Sequence, residues 1–466
     1  VGEDFQQRVW SVWKRTADLS WPVILTQVLR TLMRTTDVIV AGFLSPAAVA
    51  AVGLADVYAR LPARIGSGVG DGAIALSSQD TGRGAVGNRN EAVTQALLIG
   101  VLASVPFIVF GLFFNEWAIA VLGAEIDVVQ SGALYLVIIL LSSPARHTVL
   151  IAARAIQGTG DTRSPMIVRS GANAVNIVGT VVLAFGIGPL PELSVIGIAV
   201  ATTSANYLEA MAFLVFIYSH WSQIEYVHPT DPIIGKQLIL IGLPRTAEGL
   251  TELIAEFPFN AILLVFGTEV NAAYHIGRRM YQQIAAPLSR GYGIATNIIV
   301  GQGLGEGNPT EAYWDGSIIA MLGVITVGGL GFVLFGIAEQ FVLLFTHDPM
   351  TVAYATGFAR AYALSTVLIA LYVVIAGALR GGSETRVPFL AKLSGTFIFL
   401  LGTTYLFGLR LGYGVVAAYA GIVADYAWRN VVLCFYYATG DWRERGTTMM
   451  TDRAGADDEH ASTPDD

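Results

Sequence analysis

The sequence runs to 466 residues, of which 54% are hydrophobic and only 13% charged, with a mean hydropathy of +0.60. Soluble domains carry about 25% charged residues, and a soluble monomer cannot bury this much apolar surface, so the composition is that of a polytopic membrane protein. The single cysteine, Cys434, excludes a disulfide framework and a multi-cysteine metal site, and the net charge of −8 argues against nucleic acid as a partner.

A helix crossing ~30 Å of hydrocarbon needs about 20 mostly apolar residues. Residues 1–17 carry no signal-peptide pattern and are read as a cytoplasmic segment, so the first span is expected to serve as the insertion signal. Twelve spans follow in chain order: 18–43, 48–78, 92–114, 128–154, 165–186, 195–219, 236–265, 270–300, 312–336, 352–379, 387–408 and 413–438. The breaks carry turn chemistry, as at Leu44 to Pro46, Gly186 to Pro191, Gly305 to Pro309 and His347 to Pro349. Alternate loops hold Arg83 and Arg89, Arg154 and Arg163, Lys236, and Arg380 and Arg386, whereas the opposite side has only Arg410. The basic side is cytoplasmic, so both termini are expected there. Residues 18–226 are read as an N-lobe, 227–440 as a C-lobe, and 441–466 as an acidic disordered cytoplasmic tail.

The two halves repeat at an offset of about 223. Arg154 to Pro165 matches Gly377 to Pro388 in the frame Ala-x-x-Gly-x-x-acid-Thr-Arg-x-Pro. Tyr58, Gly68, Gly70, Gln79 and Gly82 match Tyr281, Gly291, Gly293, Gln302 and Gly305, and Pro22 matches Pro244. Six spans per copy make the copies parallel, an arrangement that transporters use for alternating access. In the repeated loop, Gly158, Gly160, Gly381 and Gly382 suit a tight turn, Asp161 and Glu384 suit helix caps, and Pro165 and Pro388 suit first-turn positions. Helix-pair geometry is the simpler reading of that loop, and a hinge or cytoplasmic gate the functional one. Pro22 and Pro244 lie within a turn or two of where their spans begin, where proline either starts or kinks a helix.

Charges inside a bilayer are costly and face a cavity or a partner. Asp37 lies in the first span, with Arg30 and Arg34 on the same face at i, i+4 and i+7. Burial favours a neutral carboxyl and a nearby cation favours the ionised one, so Asp37 suits a coupling-ion site; a permanent ion pair with Arg34 is the structural alternative. Glu248, Glu252 and Glu256 form one stripe on the seventh span, read either as a second cation site or as an ion-pair network neutralised by Arg245, Arg278, Arg279 and Arg290. Arg60, Arg64, Arg146 and Arg360 also fall within spans. No phosphate-binding loop, no metal-ligand histidine spacing and no nucleophile–base arrangement is present, so neither an enzyme nor an ATP-driven pump is expected, and no cofactor.

The stretch Leu19 to Pro22, Thr36 to Gly42, Ala155 to Pro165 with its second copy at 378–388, and Gly197 to Thr202 together resemble the multidrug and toxic compound extrusion (MATE) family across residues 16–440. The position of the acid in the first helix makes the DinF-type prokaryotic and archaeal branch the one resembled. The resemblance implies exchange of an organic compound for H⁺ or Na⁺, a bending role for Pro22, and an Asn-x-x-x-Asp pair in the fifth helix. Asn176 fits that pair's first position, but Thr180 stands where the acid would be. Asp37, Asn176, Thr180 and Thr202 still offer four side-chain oxygens, a set suited to Na⁺, and Tyr135 is a further candidate for this lobe. A glutamate of another branch of the family is resembled by Glu252, without that branch's acid in the tenth helix.

The sequence thus predicts an all-α polytopic membrane protein of twelve helices. Two parallel six-helix repeats form an N-lobe and a C-lobe around a central cavity. The expected function is a secondary antiporter, monomeric and in the cell membrane. It would export organic, cationic amphipathic compounds in exchange for H⁺ or Na⁺. A flippase or exporter of an anionic lipid-linked or polar metabolite is the alternative, because guanidinium groups within spans suit phosphate or carboxylate.

Overall fold

The computed structural model describes residues 2–461, with side chains over 5–453. Every described element is helical, and the chain divides into two compact units. Among the described residues, seven helices are long and apolar enough to cross a membrane, or eight if one bent pair is counted as a span. Each of the twelve expected segments falls on a helix or on a helix broken at one point. The segments that miss the apolar count are those interrupted by charge, such as the first, with Arg30, Arg34 and Asp37.

The first unit comprises Leu25–Thr81 and Ala85–Thr246. Its elements are α1 (Gly2–Leu44, from Leu25), α2 (Pro46–Ala59), α3 (Leu61–Arg83), α4 (Val86–Ala120), α5 (Ile126–Leu141), α6 (Ser143–Gly158), α7 (Arg163–Phe185), α8 (Ser194–Ile217) and the first part of α9 (Pro232–Phe266). Ser45 accepts from the Ala48 N–H and Pro46 occupies the first turn, so the chain restarts at once as α2. Gly186, left-handed at φ 66°, closes α7. The core is built on small side chains, with Ala41, Ala51, Ala55, Ala118 and Ala199 fully buried beside Ile119, Leu136 and Ile198. Small residues let helix backbones approach where lipid offers no hydrophobic drive for association.

The second unit comprises Val1–Ile24, Gly82–Gly84 and Ala247–Asp466. It holds the first part of α1, the rest of α9, α10 (Thr268–Met280), a π-helical turn Tyr281–Ala285, α11 (Ala286–Gly305), α12 (Pro309–Gly336), the short α13 (Ala338–Val342) and α14 (Pro349–Gly381). After it come α15 (Arg386–Ser394) with its π-helical continuations Gly395–Gly402 and Thr404–Arg410, α16 (Val416–Thr439) and α17 (Asp441–Ala461). Asp348 caps α14 through the Thr351 N–H at 2.8 Å.

The duplication persists at the level of contacts. α2 and α3 part at Arg60, and 223 residues later the equivalent segment carries the π-helical turn Tyr281–Ala285. A Cβ on Gly158 would lie 2.7 Å from Ser77 and 3.0 Å from the Ile74 carbonyl; one on Gly381 would lie 2.8 Å from the Asn297 carbonyl and 3.3 Å from Val300, the same positions in register. These two glycines serve close approach, not turn geometry. The left-handed residue of the loop is Gly160 (φ 94°) in the first copy and Ser383 (φ 61°) in the second, not Gly382. Asp161 accepts from the Arg163 and Ser164 N–H groups, and Glu384 from those of Arg386 and Val387. Both acids therefore cap the helix that follows.

Three expectations are corrected. Residues 1–17 are not a separate segment: α1 begins at Gly2, with the Trp13 indole donating to the Ile318 carbonyl and Arg15 to Gln302. Pro22 and Pro244 therefore lie deep inside their helices and do not start them. The tail 441–466 was expected to be disordered from its charge, yet Asp441–Ala461 is helical. Trp442, Met449 and Met450 are buried, and Arg445 is 3.0 Å from Glu384. The reason is that these apolar side chains precede the acidic run, which itself lies beyond the described side chains.

Candidate functional site

Four of the residues singled out around Asp37 meet inside the first unit. α1 supplies Asp37, α7 supplies Asn176 and Thr180 one turn apart, and α8 supplies Thr202. The Thr180 hydroxyl donates to Asp37 Oδ1 at 3.1 Å, with Asn176 Oδ1 competing for the same proton at 3.4 Å. The Asn176 amide donates to Thr202 Oγ1 at 3.2 Å. Thr180 and Asn176 are buried, and Asp37 is only 9% exposed. The result is one carboxylate and three neutral oxygens in a connected line.

This line opens on a cavity of about 390 Å³ within the same unit. Asp37, Thr202, Tyr135, Arg30 and Arg34 all line it, Asn176 and Thr180 join it through their hydrogen bonds to Thr202 and Asp37, and the hinge candidate Pro22 lies outside it. Arg34 is near enough to act on the Asp37 charge, but among the described residues no ion pair joins them. The permanent Arg34–Asp37 pair is thus not what the structure shows.

The cavity also holds Asp56, Arg169 and Glu209, which the sequence reading missed, beside Arg60 and Arg146, which it had placed within spans. Asp56 pairs with Arg60 at 2.8 Å, and Glu209 with Arg169 at 3.4 Å. Arg146 Nη1 donates to the Ala59 carbonyl, freed where α2 ends. Glu209 was findable as an acid in the middle of an otherwise apolar helix, and Asp56 as the i, i+4 partner of Arg60. His147 is fully buried, its ring nitrogens each 2.7 Å from the carbonyls of Gly100 and Pro62, so it acts as a brace.

The glutamate stripe of the second unit is an ion-pair network. Glu248 accepts from Arg380 at 2.9 and 3.0 Å and from the Tyr372 hydroxyl at 3.0 Å. Glu252 meets Arg278 at 3.2 Å and Lys392 at 3.1 Å, and Glu256 meets Arg278 at 3.5 Å. Arg380 and Lys392 were not anticipated as partners, whereas Arg245 reaches Asp71 at 2.6 Å and Arg279 lies over the Phe345 ring. Arg360 lies over Phe335. A further buried pair, Asp425 with Arg429, is braced by Thr396 and by the rings of Tyr372 and Tyr426; its signal was an acid and a base at i, i+4 within a span. No group of three metal-ligating side chains occurs among the described residues. The compact units change over at 24/25 and 246/247, each two residues after Pro22 and Pro244.

The comparisons agree with this architecture. The MatE family model matches residues 22–182 and 244–420, one match per repeat. Relatives include the multidrug resistance protein NorM of Vibrio cholerae, 26% identical over 84% of this chain and 86% of its own length. Another is the multidrug resistance protein MdtK of Pectobacterium atrosepticum, 27% identical over 85% and 88%. A crystal structure of MATE in the bent conformation superposes with a TM-score of 0.85 at 19% identity, covering 95% of this chain and 97% of that one. A transporter of the MOP superfamily from Pyrococcus furiosus, described as having a binding pocket of reverse polarity, gives 0.83 at 18% identity over 94% and 96%. With duplicated six-helix halves and a family match across most of both, this chain belongs to the MatE family of multi-pass cell-membrane transporters.

Proposed function

We propose that this transporter is a secondary active antiporter, moving organic compounds out of the cell in exchange for H⁺ or Na⁺ by alternating access, with both termini cytoplasmic. The observation that carries the reading is Asp37. It is the acid of a buried hydrogen-bonded line, is held by a neutral hydroxyl and not by a cation, and opens on a cavity. Such a carboxylate can take up a proton, or share a Na⁺ with the oxygens of Thr180, Asn176 and Thr202. With a single carboxylate, loading either ion neutralises the acid of the line. The break in the backbone ladder at Pro22 supplies a point at which α1 can bend when that charge changes. The glutamate network of the second unit serves as structural bracing.

The test is substrate efflux from liposomes under a pH gradient or a Na⁺ gradient imposed separately, for the wild type and Asp37→Asn. Gradient-driven efflux lost in the variant supports coupling at Asp37, and the effective gradient names the ion. Efflux that survives unchanged in Asp37→Asn refutes it. The multidrug names of the relatives support organic substrates, and cationic amphipathic compounds are the class expected from the sequence. The alternative, an anionic lipid-linked or polar metabolite, is favoured by one observation: five arginines against three carboxylates in the cavity lining.

A further inference from the structure

The surplus of positive charge in the first-unit cavity is organised. Of its three carboxylates, Asp56 is engaged by Arg60, Glu209 by Arg169, and Asp37 by the Thr180 hydroxyl. Three further guanidinium groups, Arg30, Arg34 and Arg146, line the same space; among the described residues no ion pair joins Arg34 or Arg146 to a carboxylate, although Asp37 acts on Arg34 and Asp56 on Arg146 at longer range. Arg146 is held in place by its bond to the Ala59 carbonyl, which fixes the group without compensating its charge. Part of the remaining wall is aliphatic, with Val49, Val52, Ile139, Val149 and Leu150, beside the polar Thr26, Asn173, Thr202 and Asn206. Guanidinium groups in excess of the carboxylates around them are suited to planar or tetrahedral oxyanions, and the aliphatic side chains to an apolar body.

We infer that this cavity binds an amphipathic anion, a phosphate or carboxylate head on an apolar body, with Arg34 and Arg146 as the anion clamp. This rests on the transporter reading above and names its substrate class. It carries a consequence for coupling. An ionised Asp37 repels the anion, and an Asp37 loaded with a cation does not. Charge alone therefore favours simultaneous binding of the ion and the anion. Exchange of the two then has to be enforced by a change of conformation, not by direct competition.

The experiment is equilibrium binding to the full purified chain in nanodiscs, with 1-naphthyl phosphate, dodecyl phosphate, inorganic phosphate and tetraphenylphosphonium as probes. The organic phosphates are expected to bind more tightly than the cation. Arg34→Gln and Arg146→Gln are each expected to weaken them at least tenfold, with Arg34→Lys and Arg146→Lys recovering part of the loss. Arg360→Gln, outside the cavity, is expected to bind as the wild type does. Binding of dodecyl phosphate alone identifies a lipid headgroup, and binding of naphthyl phosphate a soluble anion; either supports the site. Asp37→Asn is expected to bind the anion as tightly or more tightly while losing gradient-driven efflux. Tighter binding of tetraphenylphosphonium than of either organic phosphate overturns the inference, as does phosphate binding that is indifferent to both glutamine variants. The two readings fail separately. Anion binding with no gradient-driven transport removes the antiport reading, and gradient-driven transport with no anion binding removes this one.

Discussion

Replacing Glu248 with glutamine separates a structural brace from an ion carrier. Glu248 is 3% exposed and accepts hydrogen bonds from Arg380 and from Tyr372 at 2.9–3.0 Å. Glutamine keeps the shape, removes the charge, and leaves the Arg380 guanidinium without its counter-ion in the interior. Breaking one side of a buried pair costs about 3–5 kcal/mol. For a unit of this size each kcal/mol shifts the midpoint by about 2–4 °C, so Glu248→Gln should melt roughly 10 °C lower in intrinsic-fluorescence scanning of the detergent-solubilised protein. The double variant Glu248→Gln with Arg380→Gln should recover part of that loss, because no charge is then stranded. A carrier behaves in the opposite way: removing it leaves the melting midpoint in place and abolishes transport. A Glu248→Gln midpoint within about 1 °C of wild type, with gradient-driven efflux gone, would refute the bracing argument and return the second unit to the coupling machinery.

Other expectations follow from the same contacts. Gly158→Val and Gly381→Val should each destabilise by about 1–3 kcal/mol in thermal scans, because the added side chain meets Ser77 in one copy and the Asn297 carbonyl in the other. Two similar losses would confirm that the repeats share packing, and no loss at either position would deny it. Trp442→Ala should cost about 3–5 kcal/mol of α17 docking and expose the C-terminal segment to limited proteolysis; an unchanged cleavage pattern counts against the buried placement. Asp348 is held below the usual carboxylate range by the Thr351 hydroxyl and N–H. A depressed folded value stabilises above the unfolded one near ~3.9 and is lost as pH falls through the folded value. Asp348→Ala should therefore speed hydrogen exchange in the first turn of α14 at pH 5–7, and its difference from wild type should shrink as the pH falls below the usual carboxylate range.

The membrane class, the helical segments and the duplication were legible because each is a local or periodic property of the chain. Apolar runs of bilayer length announce spans, and two copies in one register announce parallel halves. The helix caps at Asp161 and Glu384 were readable for the same reason, since a cap reaches only two or three residues. The grouping of Asp37 with Asn176, Thr180 and Thr202 was proposed through resemblance, and the hydrogen bonds between α1, α7 and α8 are what join them.

Charge partners across the chain were not legible. Sequence showed Arg34 one turn from Asp37 and suggested a pair; packing gives the acid to Thr180, 143 residues away. It showed a stripe of three glutamates and named Arg278, which does pair with Glu252 and Glu256, but the further partners Arg380 and Lys392 lie more than 130 residues further on. Helix periodicity reports which face a side chain occupies and nothing about which helix will stand opposite. The excess of arginines over carboxylates around Arg34 and Arg146, on which the substrate inference depends, is likewise a property of the tertiary structure alone. It exists because packing brings five arginines and only three carboxylates to one space.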